Sequence, residues 1–144
     1  MVFMKAKRIV TALASYGMSG RIFHAPFLEQ HQGFELKLIL ERTKTLSQER
    51  YPQANIVNSY DDILADDEIE LVVVNTPTCL HYAMCKQALL AGKNVVVEKP
   101  FTSTVGEGEE LIALAESKNL ILTVYHNKRL EGDMKTLEEL IYSG

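Results

Sequence analysis

Two parts of this sequence carry residues whose types and spacing suggest chemistry. The first is Ser15-Tyr16-Gly17-Met18-Ser19-Gly20. It has the form of a phosphate-cradling turn, G-x-G-x-x-G, with serine in the first place. Gly17 would let a pyrophosphate approach the backbone, and Gly20 would let the following helix pack close to the preceding strand. The N–H groups around Met18 and Ser19 open that helix and would face the phosphate oxygens. Serine in the first place is tolerated where its φ is negative; at positive φ it would store about 1 kcal/mol of strain. There it would also crowd a nucleotide and weaken binding. Glu41 ends the second apolar run, about 20 residues past Gly20, where a carboxylate accepts hydrogen bonds from the hydroxyls of an adenosine ribose. A carboxylate there repels a 2′-phosphate, so the pattern favours NAD over NADP. Arg42, with Thr43 beside it, keeps NADP open, because a guanidinium can pair with that phosphate or stack on adenine. The alternative is a plain strand-to-helix turn in some other α/β protein.

The second part is spread over three apolar runs. Asn75-Thr76-Pro77-Thr78 follow one run, with His81 three residues on; Glu98-Lys99-Pro100 follow the next, and His126-Asn127 the last. Polar residues just past the ends of successive strands collect at one edge of an open sheet, where such sheets bind ligands. A lysine there can donate to a ribose or substrate hydroxyl and stabilise the alkoxide that develops as hydride leaves. The plain reading of Lys99 is a surface lysine after a buried strand. Glu98 pairs with a nearby base or lines the cofactor site, and Pro100 ends the strand. His81 is either a ligand-edge residue or a helix histidine without a role, and Asn127 either donates to a ligand or does not. His24 is expected to pack beside Pro26, His31 to lie on the surface, and Asp66-Asp67-Glu68 to form a solvated loop.

The elements that must position these residues alternate along the chain. Strands are predicted over 6–14, 34–40, 56–57, 69–76, 94–100 and 120–126. Helices are predicted over 18–31 (bent by Pro26), 43–52, 59–65 (opened by a Ser59/Asp62 capping box), 78–91, 104–118 and 133–142. Leu80, Ala83, Met84, Ala88 and Ala91 form the expected buried stripe of the fourth helix, which closes at Gly92. Gly108, Leu111, Ile112 and Ala115 form that of the fifth. The later strands lack polar alternation, the mark of a parallel sheet covered on both faces. The fold expected is a Rossmann-type doubly wound α/β domain: a mostly parallel six-stranded sheet with helices on both faces.

The stretch VVNTPTCLHYAMCKQALLAGKNVVVEKPFT, with GMSGRIFHAPF before it and LTVYHNKR after it, resembles the Gfo/Idh/MocA oxidoreductases. The resemblance covers nearly all 144 residues. It implies hydride transfer between NAD(P) and a sugar, polyol or related CH–OH substrate, with Lys99 at the active site and His81 near the nicotinamide half. It also implies a following α+β substrate domain, absent from this sequence, that supplies the acid–base groups. On that division, residues 1–126 are the dinucleotide-binding domain, and 127–144 the final turn and helix leading toward the substrate domain. Such a chain would bind cofactor without efficient turnover. The alternative is a short, non-catalytic Rossmann module that binds a nucleotide or regulates a partner.

Bulk properties exclude other classes. A net charge of −4 and a pI near 5.6 give no electrostatic basis for nucleic-acid binding. No apolar run is long enough to span a bilayer, and no signal peptide follows Lys5, Lys7 and Arg8. Cys79 and Cys85 read as free thiols of a reducing cytoplasm, and no metal-ligand spacing stands out. The apolar residues Leu137, Leu140 and Ile141 of the last helix suggest a homo-oligomer.

Overall fold

The computed structural model describes residues 7–143; the expected strand start at Ala6, the basic Lys5 and the closing Gly144 lie outside them. The order is β1 (Ile9–Leu13), a helical run over 18–30 whose last part is α1 (Ala25–Gln30), β2 (Phe34–Leu40) and β3 (Asn55–Val57). Then come α2 (Tyr60–Ala65), β4 (Leu71–Val74), α3 (His81–Leu90) behind a 3₁₀ turn at Thr78–Leu80, and β5 (Asn94–Val97). The chain ends with α4 (Val105–Ser117), β6 (Leu122–Val124), a 3₁₀ turn at Asn127–Leu130, and α5 (Gly132–Tyr142). The sheet order is β3-β2-β1-β4-β5-β6, and every neighbouring pair is parallel. The order reverses between β1 and β4, which opens a crevice beyond their carboxyl ends.

Strand alternation builds two cores. Ala12, Ala14, Val72, Val74, Val95 and Val97 face one side, packed with Ile63 of α2, Cys85, Ala88 and Leu89 of α3, and Leu111 and Ala115 of α4. Leu13, Ile39 and Val73 face the other, under Ala25 of α1 and the Tyr51–Ala54 loop. The β1–β2 register shifts between Thr11 and Ala12, stepping over Lys37. Lys37 instead bonds Asp66 and Glu68, each at 2.6 Å.

Some expectations change. The predicted helix over 43–52 is a series of turns, because the Glu41 carboxylate draws the Leu46 and Ser47 N–H groups to itself. On α3 the buried face is His81, Cys85, Ala88 and Leu89; Leu80, Ala83 and Ala91 are exposed. The buried set keeps the i, i+4, i+7, i+8 spacing of one helical face, with His81 at its head held between two main-chain carbonyls. On α4, Gly108, Leu111 and Ala115 are buried but Ile112 is exposed. β6 is short and half-exposed because it lies at the sheet edge. Both capping boxes, Ser59/Asp62 and Thr104/Glu107, are formed. Gly92 ends α3 at a φ of +77°, where a side chain would be strained. No helix among the described residues is long and apolar enough to cross a membrane.

The buried face of α3 is testable. Leu89→Ala should lower unfolding stability by about 2–5 kcal/mol through a core cavity. Leu90→Ala, at an exposed neighbour, should change it by less than about 0.5 kcal/mol. Urea denaturation of both variants checks the phase.

Candidate functional site

The crevice is held shut at its base by Asn75. Its Nδ2 donates to the Ser15 carbonyl at 2.8 Å, tying the β4 exit to the β1 turn. Ser19 Oγ donates to the Asn75 carbonyl at 3.4 Å, a second and longer tie. Gly20 sits against this join: a Cβ there would collide with Ser15 O and lie 2.7 Å from Asn75 Nδ2. Glycine at 20 is therefore a packing requirement, as the sequence pattern implied. At Gly17 a Cβ would meet only Ser15 Oγ, at an ordinary 3.5 Å. The protein's own packing does not need glycine at 17, so what it leaves is room in front of the turn.

Ser15 does not strain the turn. Asn119 is the one non-glycine residue with positive φ among the described residues. Ser15 Oγ instead accepts the Gly17 N–H at 3.2 Å. The serine thus closes the turn with its side chain.

In front of the turn lies a cleft of about 1230 Å³. Of the residues singled out in the sequence, Ser15, Tyr16, Gly17, Met18, Glu41, Arg42, Thr76 and Pro77 line it. Arg21, Lys44, Leu46, Arg50, Tyr51, Asn58, Tyr60 and Met84 also line it, and sequence reading missed them. Asn58 and Tyr60 follow β3, so the rule that ligands gather past strand carboxyl ends would have found them had the three-residue β3 been given weight. Arg50 and Tyr51 were hidden by the helix expected over 43–52.

Glu41 is deeply engaged. Its Oε1 accepts from the Ser47 N–H at 2.8 Å and the Ser47 hydroxyl at 2.6 Å, and its Oε2 accepts from the Leu46 N–H at 3.0 Å. Its backbone N–H donates to Val57 O, and its carbonyl accepts from Asn58 Nδ2 at 2.8 Å. Two buried polar atoms at the crevice, Asn75 Oδ1 and Thr76 Oγ1, have no partner among the described residues. Buried acceptors and hydroxyls left unpaired are costly unless a ligand or water meets them. The orphaned pair and the open space at Gly17 together fit a polar ligand in contact with the backbone.

His81 faces the protein's own backbone. It is buried, with Nδ1 2.8 Å from Pro100 O and Nε2 2.8 Å from Thr76 O. Each ring nitrogen lies against a main-chain carbonyl, so His81 sits between the β4 loop and the β5 loop. Thr78 opens the 3₁₀ turn before it.

His24, expected to pack beside Pro26, also makes a polar pair. The helical run over 18–30 contains a π turn at Gly20–His24. That turn delivers the buried His24 ring to Glu98, with Nε2 to Oε1 at 2.9 Å, and onto the Tyr125 ring at a centroid distance of 4.5 Å. Burial pushes the His24 pKa down, against the opposing pull of Glu98. The ring is therefore neutral near pH 7 and donates Nε2–H to the carboxylate. The other oxygen of Glu98 accepts the Lys99 N–H at 3.2 Å. Lys99 itself is exposed, and its Nζ pairs with no carboxylate among the described residues. Lys99, Glu98 and Asn127 lie outside the cleft lining, past the ends of β5 and β6, and Ser19, Gly20, Asn75, Thr78 and His81 are outside it too; Asn127 is half-buried at the head of its 3₁₀ turn.

Known proteins show the same frame. The family model for Gfo/Idh/MocA proteins, described as an oxidoreductase family with an NAD-binding Rossmann fold, matches residues 10–126. The oxidoreductase C26H5.09c of Schizosaccharomyces pombe is 46% identical over 141 residues, covering 94% of this chain and 38% of its own length. The scyllo-inositol 2-dehydrogenase (NADP(+)) IolW of Bacillus subtilis is 39% identical over 97% of this chain and 39% of its own length. A crystal structure from Bacteroides fragilis, described as an oxidoreductase, superposes with a TM-score of 0.91 at 55% identity, covering 95% of this chain and 40% of that one. The chain thus spans about two-fifths of the length of the relatives it matches.

The two glycines separate by variant. Gly20→Ala should lose about 1–3 kcal/mol of stability, because its Cβ collides with the Asn75 join. Gly17→Ala should leave stability within about 0.5 kcal/mol while weakening dinucleotide binding; denaturation and ligand titration read the two effects. The His24 pair sets a pH window. The folded chain resists protonating His24, whereas the unfolded chain protonates it around the ordinary value of 6.5. That contribution is whole above 6.5 and is lost as pH falls through and below it. Thermal melts should show Tm falling from pH 7.5 to 5, and His24→Gln should flatten the fall; a wild-type Tm that is flat or rises on acidification contradicts this.

Proposed function

The chain belongs to the Gfo/Idh/MocA oxidoreductase family, and from that premise we propose that it is the nicotinamide-dinucleotide-binding part of an enzyme that moves hydride to or from a sugar, polyol or related CH–OH substrate. The observation that carries the reading is the crevice at the β1/β4 switch point, where an open glycine turn meets two unpaired buried polar atoms. Bound there, the dinucleotide would supply or accept the hydride. Ser15 to Gly20 would hold its pyrophosphate at the helix start, and Tyr16, Glu41 and Arg42 would surround the adenosine. Asn75 to Thr78 and Asn127 would serve the nicotinamide side. Lys99, with its ammonium unpaired and its backbone held by Glu98, would donate to the reacting oxygen and favour the alkoxide.

Proton transfer is the weak point of the isolated chain. His24 is committed to Glu98 and His81 to two carbonyls, so neither is available as a general acid or base beside Lys99. Cys85 is no substitute: it is buried, and burial pushes its thiol up to about 12. The reading is therefore cofactor binding without efficient turnover by this chain alone. Its two free thiols suit a reducing compartment such as cytoplasm.

Family membership leaves the 2′ position of the adenosine to local residues. The family model's description names NAD, and the name of the 39% identical Bacillus subtilis relative names NADP.

The test has two arms. Titrating NADH and NADPH against the chain, followed by nicotinamide fluorescence, should give saturable binding of at least one. Assays with inositol and common aldoses should give no turnover above background. Absence of any binding contradicts the site; robust turnover contradicts the assignment of proton transfer to groups outside this chain.

A further inference from the structure

The cleft's charges are arranged around the loop after β2. Arg21, Arg42, Lys44 and Arg50 all line it. None of the four is in an ion pair among the described residues, whose salt bridges use Lys7, Arg8, His24, Lys37, Lys86 and Lys128. Glu41 is the one carboxylate in the lining. A chain of net charge −4 thus gathers four unpaired cations in one cleft. A pyrophosphate carries two negative charges, which leaves a surplus of positive charge near the adenosine end.

Glu41 is poorly free to recognise a ribose diol. A carboxylate offers about four acceptor sites, and three are filled by Ser47 and Leu46. Two ribose hydroxyls need two acceptors, so binding them would break a bond that shapes the 41–47 loop. The Ser47 side of that arrangement is itself buried. Immediately past Glu41, Arg42, Thr43 and Lys44 are exposed, two cations and a hydroxyl at the place a 2′ substituent would occupy. A guanidinium grips phosphate through paired, charge-assisted hydrogen bonds.

We propose that the cleft selects the 2′-phosphorylated dinucleotide, NADP(H), over NAD(H), with Arg42 and Lys44 binding the 2′-phosphate while Glu41 holds the loop that presents them. This rests on the dinucleotide reading of the cleft, and it reverses the NAD preference that Glu41 suggests from sequence. The carboxylate that would reject the phosphate is spent on its own loop, and the cations beside it are not.

The experiment measures the Kd of NADPH and of NADH for the intact chain by fluorescence, at low and at moderate salt, with 2′,5′-ADP and 5′-ADP as competing fragments. NADPH should bind at least about tenfold tighter, and 2′,5′-ADP should compete better than 5′-ADP. The NADPH advantage should shrink as salt rises, since the extra contact is between charges. Arg42→Ala should cut the NADPH-to-NADH ratio below about threefold, and Lys44→Ala should lower it less. Equal Kd values, or tighter NADH, overturn the proposal and leave the dinucleotide site standing. Failure of both nucleotides and both fragments to bind overturns the site and the proposal with it.

Discussion

One side-chain hydrogen bond fixes the working geometry: Asn75 Nδ2 to the Ser15 carbonyl, 2.8 Å. β1 and β4 are neighbours, but their outgoing chains diverge to opposite faces of the sheet, which is what opens a crevice between them. The amide spans that divergence at its narrowest point. It needs Gly20 beside it, because any Cβ there would displace either the carbonyl or the amide. It also leaves its own buried Oδ1 without a partner among the described residues. The same residue thus closes the base of the site and carries an unmet hydrogen bond beside it.

The outer loops are fixed by analogous devices, each a polar side chain consumed by backbone. Glu41 organises 45–47, His81 joins Thr76 to Pro100, and Glu98 links His24 to the Lys99 N–H. These residues look like ligand contacts in sequence because they are polar and stand at strand ends. In the structure each of them also holds neighbouring residues in place. The groups left unpaired by this scheme, among them Arg42, Lys44, Lys99 and Thr76 Oγ1, are the ones available to a ligand. Preorganisation of that kind keeps binding from having to order the loops at the moment of contact.

The doubly wound order was legible in the sequence because the signals were long and redundant. FELKLIL became a strand with the predicted ends, Ser59/Asp62 capped a helix, and Gly92 closed one. Errors arose where a side chain redirected backbone. The turns over 46–50 replace a helix because the Glu41 carboxylate competes for its N–H groups. The face of α3 differs because His81 is buried between two carbonyls, and a polar side chain has no place in an apolar stripe read from spacing. The turn, Glu41–Arg42 and Thr76–Pro77 were visible in the sequence and line one cleft, while Lys99 stands outside its lining. The His24–Glu98 pair was not, since it joins residues far apart in sequence through a π turn that no local pattern announces.

The central claim is that a dinucleotide enters the crevice between the β1 and β4 exits and rests on the glycine turn. Amide chemical-shift mapping of the isotopically labelled chain during NADPH titration tests it most directly. The account predicts large shifts at Tyr16 to Gly20, at Arg42 to Lys44 and at Thr76, with α4 and α5 unmoved. Shifts confined to α5, or a spectrum unchanged at saturating nucleotide, would contradict it.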